Sequence, residues 1–199
     1  MTTTVHFWFD PTCPFTWATS CWLRETAPAQ DAQVDWRLMS LAVLNDGKEV
    51  PEQYRAGMAL SWRPLRLLAA TARTHDSAAV GALFAALGAR LHEQQRTVDD
   101  ALLTESLQEA DLSADLLAAA DDASYDDVVR ASHAQAQERV GTESGSPVLA
   151  IGEGPAWFGP VLAPVPTGQA ATDLWQGLVA LSKVEQFSEL KRGRLPLHG

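Results

Sequence analysis

The 199-residue chain carries 15 basic and 25 acidic residues, a net charge of −10, and 46% hydrophobic residues. That is enough apolar sequence for one ordinary domain or a small domain with a large insertion, and with no basic run it argues against nucleic acid and anionic membranes as partners. No apolar stretch reaches the roughly 18 residues of a membrane span, and the N-terminus MTTTVHFWFD lacks a secretory signal's charged region and cleavage site, so a cytoplasmic location with reduced thiols is expected.

Residues 4–9, TVHFWF, are β-branched and aromatic and predict a buried strand. Asp10-Pro11-Thr12 marks a turn. From Cys13 the pattern becomes helical, CPFTWATSCWLRETA, with Pro14 suited to the first turn because its missing N–H costs nothing there. Trp17, Cys21 and Trp22 fall at helical spacing on a core-facing side, and Pro28 should end the helix. Residues 33–41 alternate and predict a second strand, which makes a strand-helix-strand opening and a parallel crossover. Residues 42–51, with an Asn-Asp-Gly turn, predict a loop.

Residues 52–141 are rich in Ala and Leu and predict helices over 52–74, 77–95, 98–110, 113–121 and 124–140. Asp and Ser precede several of them as N-caps. Pro64 should end or kink the first, and Gly141 is a stop signal. Residues 147–152 and 155–159 predict a hairpin through Glu153-Gly154. Residues 168–182 predict a last amphipathic helix, and the tail KRGRLPLHG a surface extension. The outer elements alone make an α/β sheet unit, which the helical block interrupts.

Two cysteines are present, Cys13 and Cys21. Eight residues along one helix separate them by roughly 12 Å. A disulfide needs Cα atoms within roughly 7 Å, so the two cannot pair while the helix is intact. Cys13 stands between a strand and a helix, where unpaired N–H groups and the positive dipole end favour an anion. A thiol in that position is expected to ionise at unusually low pH, and the Thr16 hydroxyl could donate a further hydrogen bond to the sulfur. The alternative is a small buried hydrophobe. Ser146-Pro147 precedes a predicted strand, an ordinary place for proline. It gains meaning only if the bond is cis and lies beside Cys13. His6, His75, His133 and His198 have no metal-ligand spacing, so no metal is expected. Neither a phosphate loop nor a Ser-His-Asp constellation is apparent.

Taken in order, FWFDPTCP, MSLAVLN, PEQYRAGM, GSPVLAI, WFGPVL and FSELKR resemble the DsbA-like branch of the thioredoxin superfamily, and within it the actinobacterial mycothiol-dependent reductases. The resemblance implies an α/β, thioredoxin-like fold with an inserted all-helical domain: residues 1–45 and 142–192 would form the thioredoxin-like domain and 46–141 the insertion. It implies that Pro147 is a cis-proline facing the thiol, and that a low-molecular-weight thiol, mycothiol, serves as co-substrate. A homodimer is common among such relatives. The sequence departs from the Cys-Pro-x-Cys pattern, because Thr16 stands where a resolving thiol would be.

Three chemistries remain open. Cys13 could be the sole nucleophile of a monothiol oxidoreductase cycle. Alternatively, as in kappa-class transferases and their isomerase relatives, Cys13 and Thr16 could stabilise the thiolate of a bound cofactor. The third is a non-catalytic binding cleft. The candidate cleft residues are Pro14, Phe15, Asn45, Tyr54, His92, Ser146 and Pro147, of which Asn45 and Tyr54 look like cleft positions in the related group. Asn45 could equally stabilise a turn, Tyr54 could be an ordinary surface residue, and His92 could be a protonated imidazole at a helix end. Phe15 is expected to be exposed beside the sulfur, and Trp157 and Phe158 to be core.

Overall fold

The structure, a computed structural model, describes residues 2–193 and their side chains except those of Gln53, Tyr54 and Ala56. Strand β1 (Thr3–Phe9) leads into helix α1 (Pro14–Ala29) and strand β2 (Ala32–Leu38), which pairs with β1 in parallel. After the helical segment come β3 (Val148–Ile151), antiparallel to β1, and β4 (Ala156–Phe158), antiparallel to β3. Among the described residues these strands form one sheet in the order β2-β1-β3-β4. The chain ends in α7 (Gly168–Leu181) and residues 182–193, which continue without a long element. The expected tail extension falls largely on residues 194–199, outside the described part, as does His198.

Pleat alternation makes β1 buried on both faces. Val5, Phe7 and Phe9 meet Trp22 and Leu23 of α1 in the larger core, while Trp8 packs with Met39, Ala136, Val148 and Ala150 in a smaller one. The long middle segment is helical: α2 (Leu41–Leu44), α3 (Glu52–Thr74), α4 (Ser77–Gly88) with a π turn over Ala89–Glu93, α5 (Asp100–Glu109), 3-10 turns over Ala114–Asp121 and Ala123–Tyr125, and α6 (Asp126–Val140). Asp76 caps α4 by accepting the Ala79 N–H, and Asp99 caps α5 by accepting that of Leu102. Gly141 stops α6 with a φ of 106°, a conformation that disfavours a side chain.

Three expectations differ. Strand β2 ends at Leu38, because Ser40 accepts the Val43 N–H and starts α2 where a loop was expected. Helix α3 runs through Pro64. The carbonyl that Pro64 cannot serve belongs to Leu60, which is 43% exposed, so water can take the missing role. Pro28 lies within the last turn of α1, one residue before its end.

Two close approaches fix how α4 sits. A Cβ on Gly88 would fall 2.1 Å from the Trp17 ring, and one on Gly81 would fall 2.3 Å from Trp36 Nε1. Trp17 is further held between the stacked ring of His92, 5.9 Å away, and the Arg24 guanidinium at 4.6 Å. Gly88→Ala is therefore expected to cost about 1–3 kcal/mol in urea unfolding through overpacking. Gly177→Ala, in α7 with nothing within 4 Å of a new Cβ, should instead stabilise by about 0.5–1 kcal/mol.

Candidate active site

The turn that ends β1 builds the thiol's seat. The Asp10 carboxylate accepts the Thr12 N–H at 2.9 Å and the Thr12 hydroxyl at 2.7 Å, while the Asp10 carbonyl accepts the Cys13 N–H at 3.2 Å. Pro11 supplies the φ that such a turn needs at its second position. Cys13 thereby becomes the N-cap of α1, with extended backbone (φ −83°, ψ 117°), and Pro14 opens the helix behind it. The other Asp10 carboxylate oxygen accepts the Leu41 N–H at 2.7 Å, tying the turn to α2.

The sheet brings the second half of the site. Antiparallel pairing sets Val148 opposite Trp8, so the residue two before Val148 meets the residue two after Trp8. These are Ser146 and Asp10, and the Ser146 hydroxyl accepts the Asp10 N–H at 3.0 Å. The same hydroxyl pairs with that of Thr16 at 2.7 Å, and the Cys13 thiol donates to the Ser146 carbonyl at 3.6 Å. The Ser146–Pro147 peptide bond is cis. Cys13 and Thr16 thus meet Ser146, more than a hundred residues further along the chain, and Pro147 follows it through the cis bond.

Cys13 is only 6% exposed and Thr16 is fully buried. Burial therefore dominates, and pushes the Cys13 thiol up. Hydrogen bonding from the Thr16 hydroxyl and from the Thr16 and Phe15 N–H groups pulls the other way, and repulsion from the Asp10 carboxylate adds to the rise. The expectation of a thiol that ionises at low pH is thus reversed in the free protein. The helix end offers what the sequence promised, but desolvation outweighs it. Burial also pushes the Asp10 carboxyl up, against the hydrogen bonds from Leu41 and Thr12. Cys21 is half-buried beside Arg24, whose Nη2 lies 3.7 Å from its sulfur, and both cysteines are free.

The remaining expected residues are placed unevenly. Pro14 is exposed at the helix start, and Phe15 is half-buried rather than exposed. The His92 Nε2–H donates to the Pro11 carbonyl at 2.9 Å, so His92 braces the turn from below. Burial pushes its imidazole down, which works against the protonated ring offered as the alternative reading of its helix-end position. Asn45 donates its side-chain amide to the Leu41 carbonyl at 2.8 Å, which is the turn-stabilising role. Tyr54 belongs to the first turn of α3, and its side chain lies outside the described part.

Sequence reasoning read Asp10 as no more than a turn residue. Its Asp-Pro-Thr setting signalled the turn, but not the bond to Leu41. It also placed Phe158 in the core, whereas that ring is 44% exposed at the end of the short edge strand. Trp157 packs instead against Phe187, with ring centroids 5.0 Å apart. Among the described residues no group of three or more His, Cys, Asp or Glu side chains could hold a metal ion, and no helix is long and apolar enough to cross a membrane.

The chain is similar to known proteins in sequence and in fold. Residues 12–192 match the model of the Rv2466c-like family, described as the mycothiol-dependent nitroreductase Rv2466c. An uncharacterised protein of Mycobacterium tuberculosis, Rv2286c, is 34% identical over 198 residues, spanning 98% of this chain and 84% of the relative. The cytosolic disulfide reductase DsbM from Pseudomonas aeruginosa superposes with a TM-score of 0.57 at 19% identity, covering 89% of this chain and 99% of that one. A 2-hydroxychromene-2-carboxylate isomerase superposes at 0.61 with 14% identity, over 91% and 95% of the two chains. These structures share the thioredoxin-like α/β fold expected from the sequence. The chain belongs to the Rv2466c-like family of mycothiol-dependent nitroreductases, and is a thiol-dependent oxidoreductase.

Proposed function

We propose that Cys13 is the single nucleophile of a monothiol oxidoreductase, with a low-molecular-weight thiol, mycothiol in this family, completing each turnover. The observation that carries this reading is the meeting of Cys13 with Ser146 and Thr16, at a position where Thr16 occupies the place of a second thiol. Residues 1–45 and 142–192 would then be the thioredoxin-like domain that holds the thiol. Residues 46–141 would be a helical insertion that braces it through His92.

The chemistry follows from the resting hydrogen bonds. Cys13 waits as S–H, donating to the Ser146 carbonyl. Attack on a disulfide R–S–S–R forms a Cys13–S–S–R bond and breaks the substrate's S–S bond, and the thiol proton leaves with the departing RS⁻ as RSH. The external thiolate R′S⁻ then attacks the Cys13 sulfur and expels a second RS⁻. A second R′S⁻ takes the first R′ sulfur as R′–S–S–R′ and returns Cys13. Two R′SH are oxidised and one R–S–S–R is reduced, with no resolving cysteine needed. Thr16 suits the charged stage: its hydroxyl can turn from Ser146 to the sulfur, while the Ser146 hydroxyl donates back to Thr16.

The buried, protonated resting thiol also favours a second reading, in which Cys13 and Thr16 stabilise the thiolate of a bound cofactor. One substitution separates the two. Intact protein treated with oxidised low-molecular-weight thiol should gain one adduct, on Cys13, removable by the free thiol, and Cys13→Ser should abolish turnover. A Cys13→Ser protein that keeps substantial activity contradicts the monothiol cycle and supports the cofactor-thiolate reading.

The pH dependence has a definite sign. A thiol raised by burial reacts with iodoacetamide in the free protein with a midpoint above the ~8.5 of an unhindered cysteine. Cys13 labelling should therefore still be climbing at pH 9. A plateau reached by about pH 7 would show that the helix end, not burial, sets its ionisation.

A further inference from the structure

We propose that the groove between α1, β2 and α4 is a second binding site, which takes a small carboxylic acid with an apolar body and directs its carboxylate to Arg24. The groove has a volume of about 360 Å³, inside the roughly 300–1,000 Å³ of small-molecule sites. Ala27 and Pro28 of α1, Val34 and Trp36 of β2, and Ala82 and Ala85 of α4 are among its apolar walls. Helix α4 lies this close to Trp36 because position 81 is glycine, where a Cβ would fall 2.3 Å from Trp36 Nε1. None of the residues that seat the Cys13 thiol lines the groove. Arg24 stands eleven residues after Cys13 along α1, roughly 16 Å on the helix axis, so this is not the thiol's own cleft.

Among the described residues that line the groove, Arg24 alone is charged, and none is acidic. Arg63, Arg66, Arg90 and Arg96 each meet a carboxylate. Arg24 has no ion-pair partner among the described residues. Its guanidinium is held by rings instead, 4.6 Å from the centre of Trp17, 5.8 Å from Phe84 and 5.9 Å from Trp36. Nη2 donates to the Ser20 hydroxyl at 3.2 Å and lies 3.7 Å from Cys21 Sγ, while Nη1 is buried with no hydrogen-bond partner. An N–H covered from water and left without an acceptor is costly. The side chain as a whole is only half-buried, so the groove brings solutes beside it. A fixed cation with spare donors thus borders an apolar space that holds no opposite charge. That pairing fits an anionic head on an apolar body. The carboxylate takes the free guanidinium donors, and the body covers alanine, valine and tryptophan surface. A cation has no partner there, and a purely apolar molecule leaves Nη1 unpaired.

Isothermal titration calorimetry with octanoate and 1-octanol at pH 7.5 tests this, because the two probes share a chain and differ in the head. Wild-type protein should bind one octanoate about tenfold more tightly than 1-octanol, the worth of one hydrogen bond to a charged group. Arg24→Gln should remove that preference while changing 1-octanol binding by less than about twofold, and Arg24→Lys should keep most of it. Ala82→Trp, a change at an exposed wall position that leaves the core untouched, should weaken both probes at least tenfold by filling the groove. Protein alkylated at Cys13 should bind octanoate as the free protein does. The proposal is overturned if octanoate binds wild type no more tightly than 1-octanol, or if Ala82→Trp leaves octanoate binding unchanged. It is equally overturned if alkylation of Cys13 abolishes that binding, which would place the probe in the thiol's cleft.

Discussion

Ser146 holds three segments together at once. Its hydroxyl accepts the Asp10 N–H and pairs with Thr16, and its carbonyl receives the Cys13 thiol. Asp10 in turn fixes Thr12 and the start of α2. The bonds made by Ser146 follow from one register, Val148 opposite Trp8. Because side chains alternate with a period of two, a slip of one residue would turn the Ser146 hydroxyl away and dissolve the site. The two buried aromatic faces of β1 make that slip costly, which is how core packing far from the sulfur secures its geometry.

The electrostatics of the thiol are a contest between two large influences. A helix terminus contributes roughly 0.3–1 kcal/mol toward the anion in exposed settings. Desolvating a fully buried group can move its ionisation by up to about 3–5 pKa units, several times more. With Cys13 nearly sealed and the Asp10 carboxylate close by, burial wins. A thiol kept protonated at rest is protected from casual oxidation, and its thiolate, once formed, is the stronger nucleophile. On the proposed cycle, the Thr16–Ser146 hydroxyl pair would supply a donor for that charge at the moment of reaction.

Much of the fold was legible because it is written locally. TVHFWF has no reading other than a buried strand, Cys13-Pro14 sits at a helix start by the chemistry of proline, and Asp76, Asp99 and Gly141 mark helix ends by capping. The placement of Cys13 beside Ser146 was legible through resemblance rather than periodicity, since nothing in GSPVLAIG announces its partner in β1. The sign of the Cys13 shift could not be read, because it depends on how completely the folded chain covers the turn. Phe158 was misplaced for a similar reason. In a three-residue edge strand, alternation is too short to tell an inward ring from an outward one. The Asn45 amide turned back on its own helix, a local competition that its position after the second strand left undecided.

On the proposed cycle, Ser146 aims the Thr16 hydroxyl at the reacting sulfur. A double-mutant cycle on the ionisation of Cys13, read by thiolate absorbance, tests it most directly. Thr16→Val should raise the midpoint by about one unit in the wild-type background, the worth of one hydrogen bond to a charged group, and by less than half as much once Ser146 is Ala. Equal rises in the two backgrounds would mean that Thr16 acts on Cys13 without Ser146, and would contradict the account.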